Sequence, residues 1–103
     1  MAVHVIIKRR VKQGHQAKDL VPLILQMRAL ALRQPGYISG ETLCDLEHQG
    51  DCLVISRWET VNDWNRWQHS KERFEIEKKI EAVIGEETQY NIYSPMVPRK
   101  DEN

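Results

Sequence analysis

Leu53-Val54-Ile55-Ser56-Arg57-Trp58-Glu59-Thr60-Val61-Asn62-Asp63-Trp64 is the stretch on which the fold turns. Its first half is a strand, in which β-branched residues lead to Trp58. Its second half opens a helix, because Thr60 stands at a cap position with an acidic residue three places on. Trp67 then joins Trp64 on one helical face. Trp58, Trp64 and Trp67 bring three large flat rings within ten positions. Each indole N–H wants a partner when buried. Such a cluster can wall a pocket for a planar ligand, or it can fill the core of a small domain.

Outward from this stretch the elements follow in order. Residues 2–10 begin as a strand through Val3, Val5, Ile6 and Ile7, and Lys8-Arg9-Arg10 reads as its solvated end. Leu20, Ile24, Met27 and Ala31 recur at helical spacing, predicting a helix over 16–33. Pro22 must lie near its first turn or bend it, Asp19 can cap a late start, and Pro35-Gly36 ends it. Tyr37 to Glu47 reads as the second strand, His48-Gln49-Gly50-Asp51 as a hairpin turn, and Cys52 to Trp58 as the third strand. The helix from Thr60 runs to Ile84, with a break where Ser70 can cap a new segment, and Gly85 closes it. Thr88 to Tyr93 is the last strand. The order β-α-β-β-α-β predicts an α+β, ferredoxin-like domain over 1–94, followed by a polar tail over 95–103. Its four-stranded antiparallel sheet carries the helices on one face, with strands one and three in the middle.

Bulk properties narrow the function. A chain of 103 residues makes one domain, and 15 basic against 15 acidic residues leave no net charge. That balance argues against a nucleic-acid surface. No apolar run reaches the roughly 20 residues that cross a membrane. The start lacks a secretory pattern, so a cytoplasmic protein with reduced thiols is expected. With residues 47 and 52 facing each other across the hairpin, Cys44 falls opposite Ile55, which predicts no disulfide to Cys52.

The middle strands carry a second message. A sheet with one wet face alternates apolar and polar residues, whereas Val5-Ile6-Ile7 and Cys52-Leu53-Val54-Ile55 place apolar residues on both faces. Two helical regions on one side leave the other side bare. A second copy packed sheet against sheet covers it, which predicts a homodimer.

Several segments together resemble the antibiotic biosynthesis monooxygenase family. They are Gln34-Pro35-Gly36-Tyr37-Ile38-Ser39-Gly40-Glu41-Thr42, then Leu53 to Glu59, Trp64 with Trp67, Ser70 with Arg73, and Gly85-Glu86-Glu87-Thr88-Gln89-Tyr90. The resemblance covers about residues 3–93 and implies a dimeric α/β-barrel with a pocket between helices and sheet in each subunit. It implies, for some members, oxidation of quinol-like or polyketide aromatics by O₂ with no metal or flavin. Other members degrade haem, using a first-strand asparagine, a pocket tryptophan and an iron-ligating helical histidine. Aligned on Gly14, those positions fall near Ile7, on Trp67 and near Glu77, so only the tryptophan is kept.

Site candidates follow from the residues. Trp58 ends a central strand, where core, dimer-interface or pocket roles are all open. The resemblance makes Trp67 a pocket wall. His69, Arg73, Ile76, Ile80 and Val83 are spaced four, three, four and three apart, so they share an inward helical face. Arg73 and His69 at its upper end either snorkel to water or form a polar site. In the second case Arg73 steadies an anion and His69 moves protons. Tyr90 and Tyr93 point to opposite faces of the last strand, and Tyr90 is placed with the pocket; Tyr37 reads as a strand-start residue. The four histidines show no metal-ligand spacing, and no Gly-rich phosphate loop or nucleophilic triad is present. The resulting expectation is a cofactor-independent monooxygenase-like homodimer acting on a small aromatic or quinol. Its rivals are a non-catalytic ligand-binding or structural dimer and, further off, a haem-degrading protein.

Overall fold

A computed structural model describes residues 2–10, 15–48 and 50–96, and of 15–17 the backbone alone. The elements are β1 (Val3–Arg10), α1 (His15–Ala31), β2 (Tyr37–Cys44), β3 (Asp51–Trp58), α2 (Val61–Gln68), α3 (Lys71–Ile84) and β4 (Gln89–Tyr93). All strand pairs are antiparallel and the sheet order is β2-β3-β1-β4, the predicted ferredoxin-like arrangement with β1 and β3 central. Gly14, Gln49 and the tail beyond Met96 lie outside the described residues.

The caps explain the helix boundaries. Thr60 Oγ1 accepts from Asp63 N at 3.1 Å and starts α2. Ser70 Oγ accepts from Arg73 N at 3.2 Å and starts α3. Gly85 ends α3 with φ 83, a left-handed conformation that costs glycine little. α1 begins at His15, earlier than Asp19 would cap it, and it carries Pro22 in its interior.

β1 alternates strictly: Val3, Val5, Ile7 and Arg9 are buried on the helix side, with less buried residues between them. Val3, Val5 and Ile7 pack with Trp58 of β3, Trp64 and Trp67 of α2 and Ala31 of α1. A second cluster, Leu20, Ile76 and Ile80, joins α1 to α3. Indoles of this size, at about 25 cal/mol per Å² of apolar surface removed from water, each contribute several kcal/mol. The opposite face carries Ile6 of β1 against Ile55 of β3, together with Leu43, 47% exposed, and Tyr93, 51% exposed.

The β2–β3 hairpin corrects one expectation. β2 stops at Cys44, not Glu47, because the Asp45 carboxylate turns the chain by accepting from Glu47 N at 2.8 Å and His48 N at 3.1 Å. The longer loop shifts the register, so Cys44 faces Cys52 rather than Ile55. The two cysteines form a disulfide, and the expectation of reduced thiols with no bridge fails for that reason.

Candidate functional site

Helices and sheet border a partly open cavity of about 60 Å³. One wall is aromatic. Trp58 and Trp64 meet edge-on at 5.8 Å between ring centroids, and Tyr37 stands edge-on to Trp58 at 5.2 Å. Trp67 completes this wall from the next turn of α2, and Ile24 and Met27 of α1 close the cavity from above. Gly40 of β2 lies at the floor, where any Cβ would collide with the Tyr37 hydroxyl. All three indoles are buried, Trp58 and Trp64 at 1% exposure. Their N–H groups differ in fate. Trp58 Nε1 donates to Ser56 Oγ at 3.0 Å, while Trp64 Nε1 is buried without a partner among the described residues.

The other wall is cationic. Arg9, Arg28 and Arg73 line it from β1, α1 and α3, and among the described residues no carboxylate or histidine does. Behind it sits one buried carboxylate, Glu77. Arg9 grips Glu77 with two hydrogen bonds, Nη1 to Oε2 at 3.2 Å and Nη2 to Oε1 at 3.3 Å. Arg73 Nη2 donates to Oε1 at 3.0 Å, and the hydroxyls of Thr88 and Tyr90 donate at 2.6 and 3.3 Å. Burial alone would push this carboxyl up. The hydrogen bonds and charge of Arg9, the Thr88 hydroxyl and the charge of Arg73 outweigh burial and hold it below the ordinary carboxylate value. Arg73 also lies over the rings of Tyr90, at 4.8 Å, and Trp64, at 5.3 Å. Burial raises the Tyr90 phenol, which Arg73 partly reverses and Glu77 reinforces.

The predicted residues therefore part company. Trp58, Trp67 and Arg73 meet at the cavity. Tyr90 backs Arg73 without lining the cavity, and Tyr93 points to the opposite face. His69 does not share the face of Arg73. It is the C-cap of α2, exposed, with Nδ1 2.8 Å from Asn65 O. The Ser70 cap restarts the helix and resets its phase, so a spacing counted across the break fails.

Four residues of the site carry little signal in the sequence. Arg9 looked like part of a solvated strand end, although its period-two phase with Val3, Val5 and Ile7 placed it inside. Glu77 lies four residues after Arg73 and beside buried Ile76, a position the acidic composition of α3 disguised. Arg28 continues the Ile24–Ala31 stripe of α1. Tyr37 opens β2, as its strand-start reading expects, and is a cavity wall as well. The haem-ligand position near Glu77 is occupied by the two-arginine network.

The comparisons with known proteins agree with this architecture. The antibiotic biosynthesis monooxygenase family profile matches residues 2–78. Protein SchA of Streptomyces halstedii is 26% identical over 82 residues; the match takes in 80% of this chain but only 21% of that protein. A conserved protein from Methanosarcina mazei Go1 superposes with a TM-score of 0.82 at 22% identity, over 90% of this chain and 91% of that one. SnoaB, a cofactor-independent oxygenase from Streptomyces nogalater, superposes with a TM-score of 0.80 at 14% identity, over 96% and 97%. At these identities the solved structures speak for the fold alone, whereas the profile spans most of the chain. The chain belongs to the antibiotic biosynthesis monooxygenase family.

Proposed function

We propose that this protein is a cofactor-independent monooxygenase that takes a small electron-rich aromatic or quinol into the cavity between helices and sheet. The observation that carries the reading is the pairing of an indole-walled cavity with a wall of guanidinium groups. A quinol that enters as its anion, its phenol proton left to bulk water, is electron-rich enough to pass an electron to O₂ itself. The ring radical and superoxide combine, a proton returns from water to give the hydroperoxide, and loss of water leaves one oxygen atom on the ring as a carbonyl. The protein then needs only to exclude water and to stabilise negative charge on the ring, which preorganised guanidinium and indole donors do best in a dry site. Trp58, Trp64 and Trp67 hold the ring, and Arg73, fixed by Glu77 and Tyr90, steadies the anion. His69 faces water and has no role in this reading. Family membership and the likeness to SnoaB, itself a cofactor-independent oxygenase, support the assignment.

The working unit in this reading is a homodimer. The outer sheet face is apolar at Ile6, Leu53, Ile55 and Leu43, and on it Arg57 Nε is shielded without a partner among the described residues. A second copy laid on that face would cover the apolar surface and offer Arg57 an acceptor.

One observation favours a second reading. A cavity of about 60 Å³ is smaller than the roughly 150 Å³ that admits benzene, so the tryptophans nearly fill their own pocket. A non-catalytic domain would look the same. The catalytic reading requires Ile24 and the flexible Met27 to swing aside as a ring enters. Oxygen uptake separates the two. A panel of dihydroxynaphthalenes should be consumed above the spontaneous rate, with the enhancement lost in Arg73→Gln and kept in His69→Ala. No enhancement with any quinol, together with no thermal shift by any of them, removes the enzyme reading.

A further inference from the structure

Arg28 stands apart from the other two guanidinium groups of the cavity. Arg9 and Arg73 share the Glu77 carboxylate, but the partner of Arg28 is neutral: its Nη2 donates to the Thr42 hydroxyl at 2.6 Å. No carboxylate among the described residues meets it. Its neighbour Tyr37 supplies no negative charge either, because burial keeps that phenol protonated even though the Arg28 charge pulls the other way. Among the described residues, the cavity wall thus holds three guanidinium groups served by a single carboxylate, which itself stands behind the wall.

The remaining polar atoms lean the same way. Arg9 is 6% exposed, and its Nε–H is buried and unpartnered although both terminal nitrogens bind Glu77. The Trp64 Nε1–H is likewise unpartnered. The buried side-chain atoms left over in this cavity are therefore donors, contributed by β1 and α2. Leaving a buried donor unmet costs about 1–3 kcal/mol, and more for a charged group. An acceptor brought by the ligand relieves that cost. A carboxylate suits it best, since its two oxygens are acceptors only and match a guanidinium fork.

We propose that Arg28 is the specificity-determining residue of this cavity, and that the substrate is an aromatic carrying a carboxylate. The ring lies among the tryptophans and the carboxylate is received by Arg28, with the free donors of Arg9 and Trp64 beside it. The inference rests on the reading of this cavity as the ligand site. It adds a second point of attachment, on α1, to the charge stabilisation assigned to Arg73.

Charge isosteres test it without turnover. Benzoate and 2-naphthoate are each titrated against their neutral amides, with tryptophan fluorescence as the readout. The full-length chain is used as wild type, Arg28→Gln and Arg28→Lys. Wild type should prefer each carboxylate by at least about tenfold, the equivalent of about 1.4 kcal/mol. Arg28→Gln should lose that preference by weakening the carboxylate while leaving the amide unchanged, a split that a merely structural role would not produce. Arg28→Lys should keep part of it. Equal affinity of acid and amide in wild type overturns the proposal whatever the variants do, as does a preference that survives Arg28→Gln or binding of neither compound. Oxygen uptake is read separately. Carboxylate preference without quinol oxidation keeps this inference and loses the oxygenase, and the reverse pattern loses this inference alone.

Discussion

The two faces of one sheet solve the problem of burial differently. On the helix side, β1 buries a charged residue, Arg9, among valines, isoleucine and tryptophans, and its terminal nitrogens are met by Glu77 within the same chain. On the far side the central strands leave Ile6, Leu53 and Ile55 only half-buried, the edge strands expose Leu43 and Tyr93, and Arg57 Nε is shielded and unmet among the described residues. The helix side is nearly complete within one chain, and what it leaves over among the described residues is a pair of buried donors, Arg9 Nε and Trp64 Nε1. What the far side leaves over is broad and apolar. The comparison teaches that unmet polar atoms in a cavity and uncovered apolar surface on a sheet call for different partners.

The largest test strikes the completed side. Glu77→Gln should cost about 3–5 kcal/mol, because it leaves two buried guanidinium groups without their counter-charge. A urea titration should show the midpoint falling at constant slope. A loss below about 1 kcal/mol would mean the arginines find water and the network is not a closed one.

The next test strikes the other face. Ile55→Lys places a charge where Ile6 and Ile55 pair. Sedimentation should show wild type as a dimer and the variant as a monomer, with dissociation at least about a hundredfold easier, the equivalent of about 2.7 kcal/mol. The near-ultraviolet dichroism of the tryptophans should be unchanged. A monomeric wild type would break the contrast between the faces.

A smaller effect sharpens the description of the cavity. Trp58→Phe and Trp64→Phe remove similar volumes, but only the first breaks a hydrogen bond, the one to Ser56. Trp58→Phe should therefore be the more destabilising by about 1 kcal/mol. Equal losses would mean that Trp64 Nε1 already has an acceptor.

The smallest effect is on acid stability. The Glu77 carboxyl is held below its ordinary value in the folded protein, so the unfolded chain binds that proton first as pH falls. The stability contributed by Glu77 is fully present above the unfolded carboxyl pKa of about 4.3 and is lost as pH drops through the lower folded value. Acid titration of wild type against Glu77→Gln should show a steeper loss in wild type within that window.

Much of this was legible in local sequence. Thr60, Ser70 and Gly85 marked their helix ends because a cap is a contact between residues three or four apart. The central strands and their two-sided apolar character followed from runs of β-formers. Local reading failed where distance along the chain was long or phase was broken. Arg9 and Glu77 are 68 residues apart, and neither residue's neighbours announce the other. The Asp45 turn moved the register and brought Cys44 to Cys52.

The sequence by itself therefore determined the order of elements, the ferredoxin-like arrangement and the tryptophan cluster, since these rest on short-range periodicity and capping. Only the tertiary structure decided which charges are buried together, and which buried indole N–H and which arginine of the cavity go without a partner or counter-ion among the described residues. Those are matters of pairing in three dimensions, and in a low-dielectric interior the partner of a charge, not its place in the chain, decides its role.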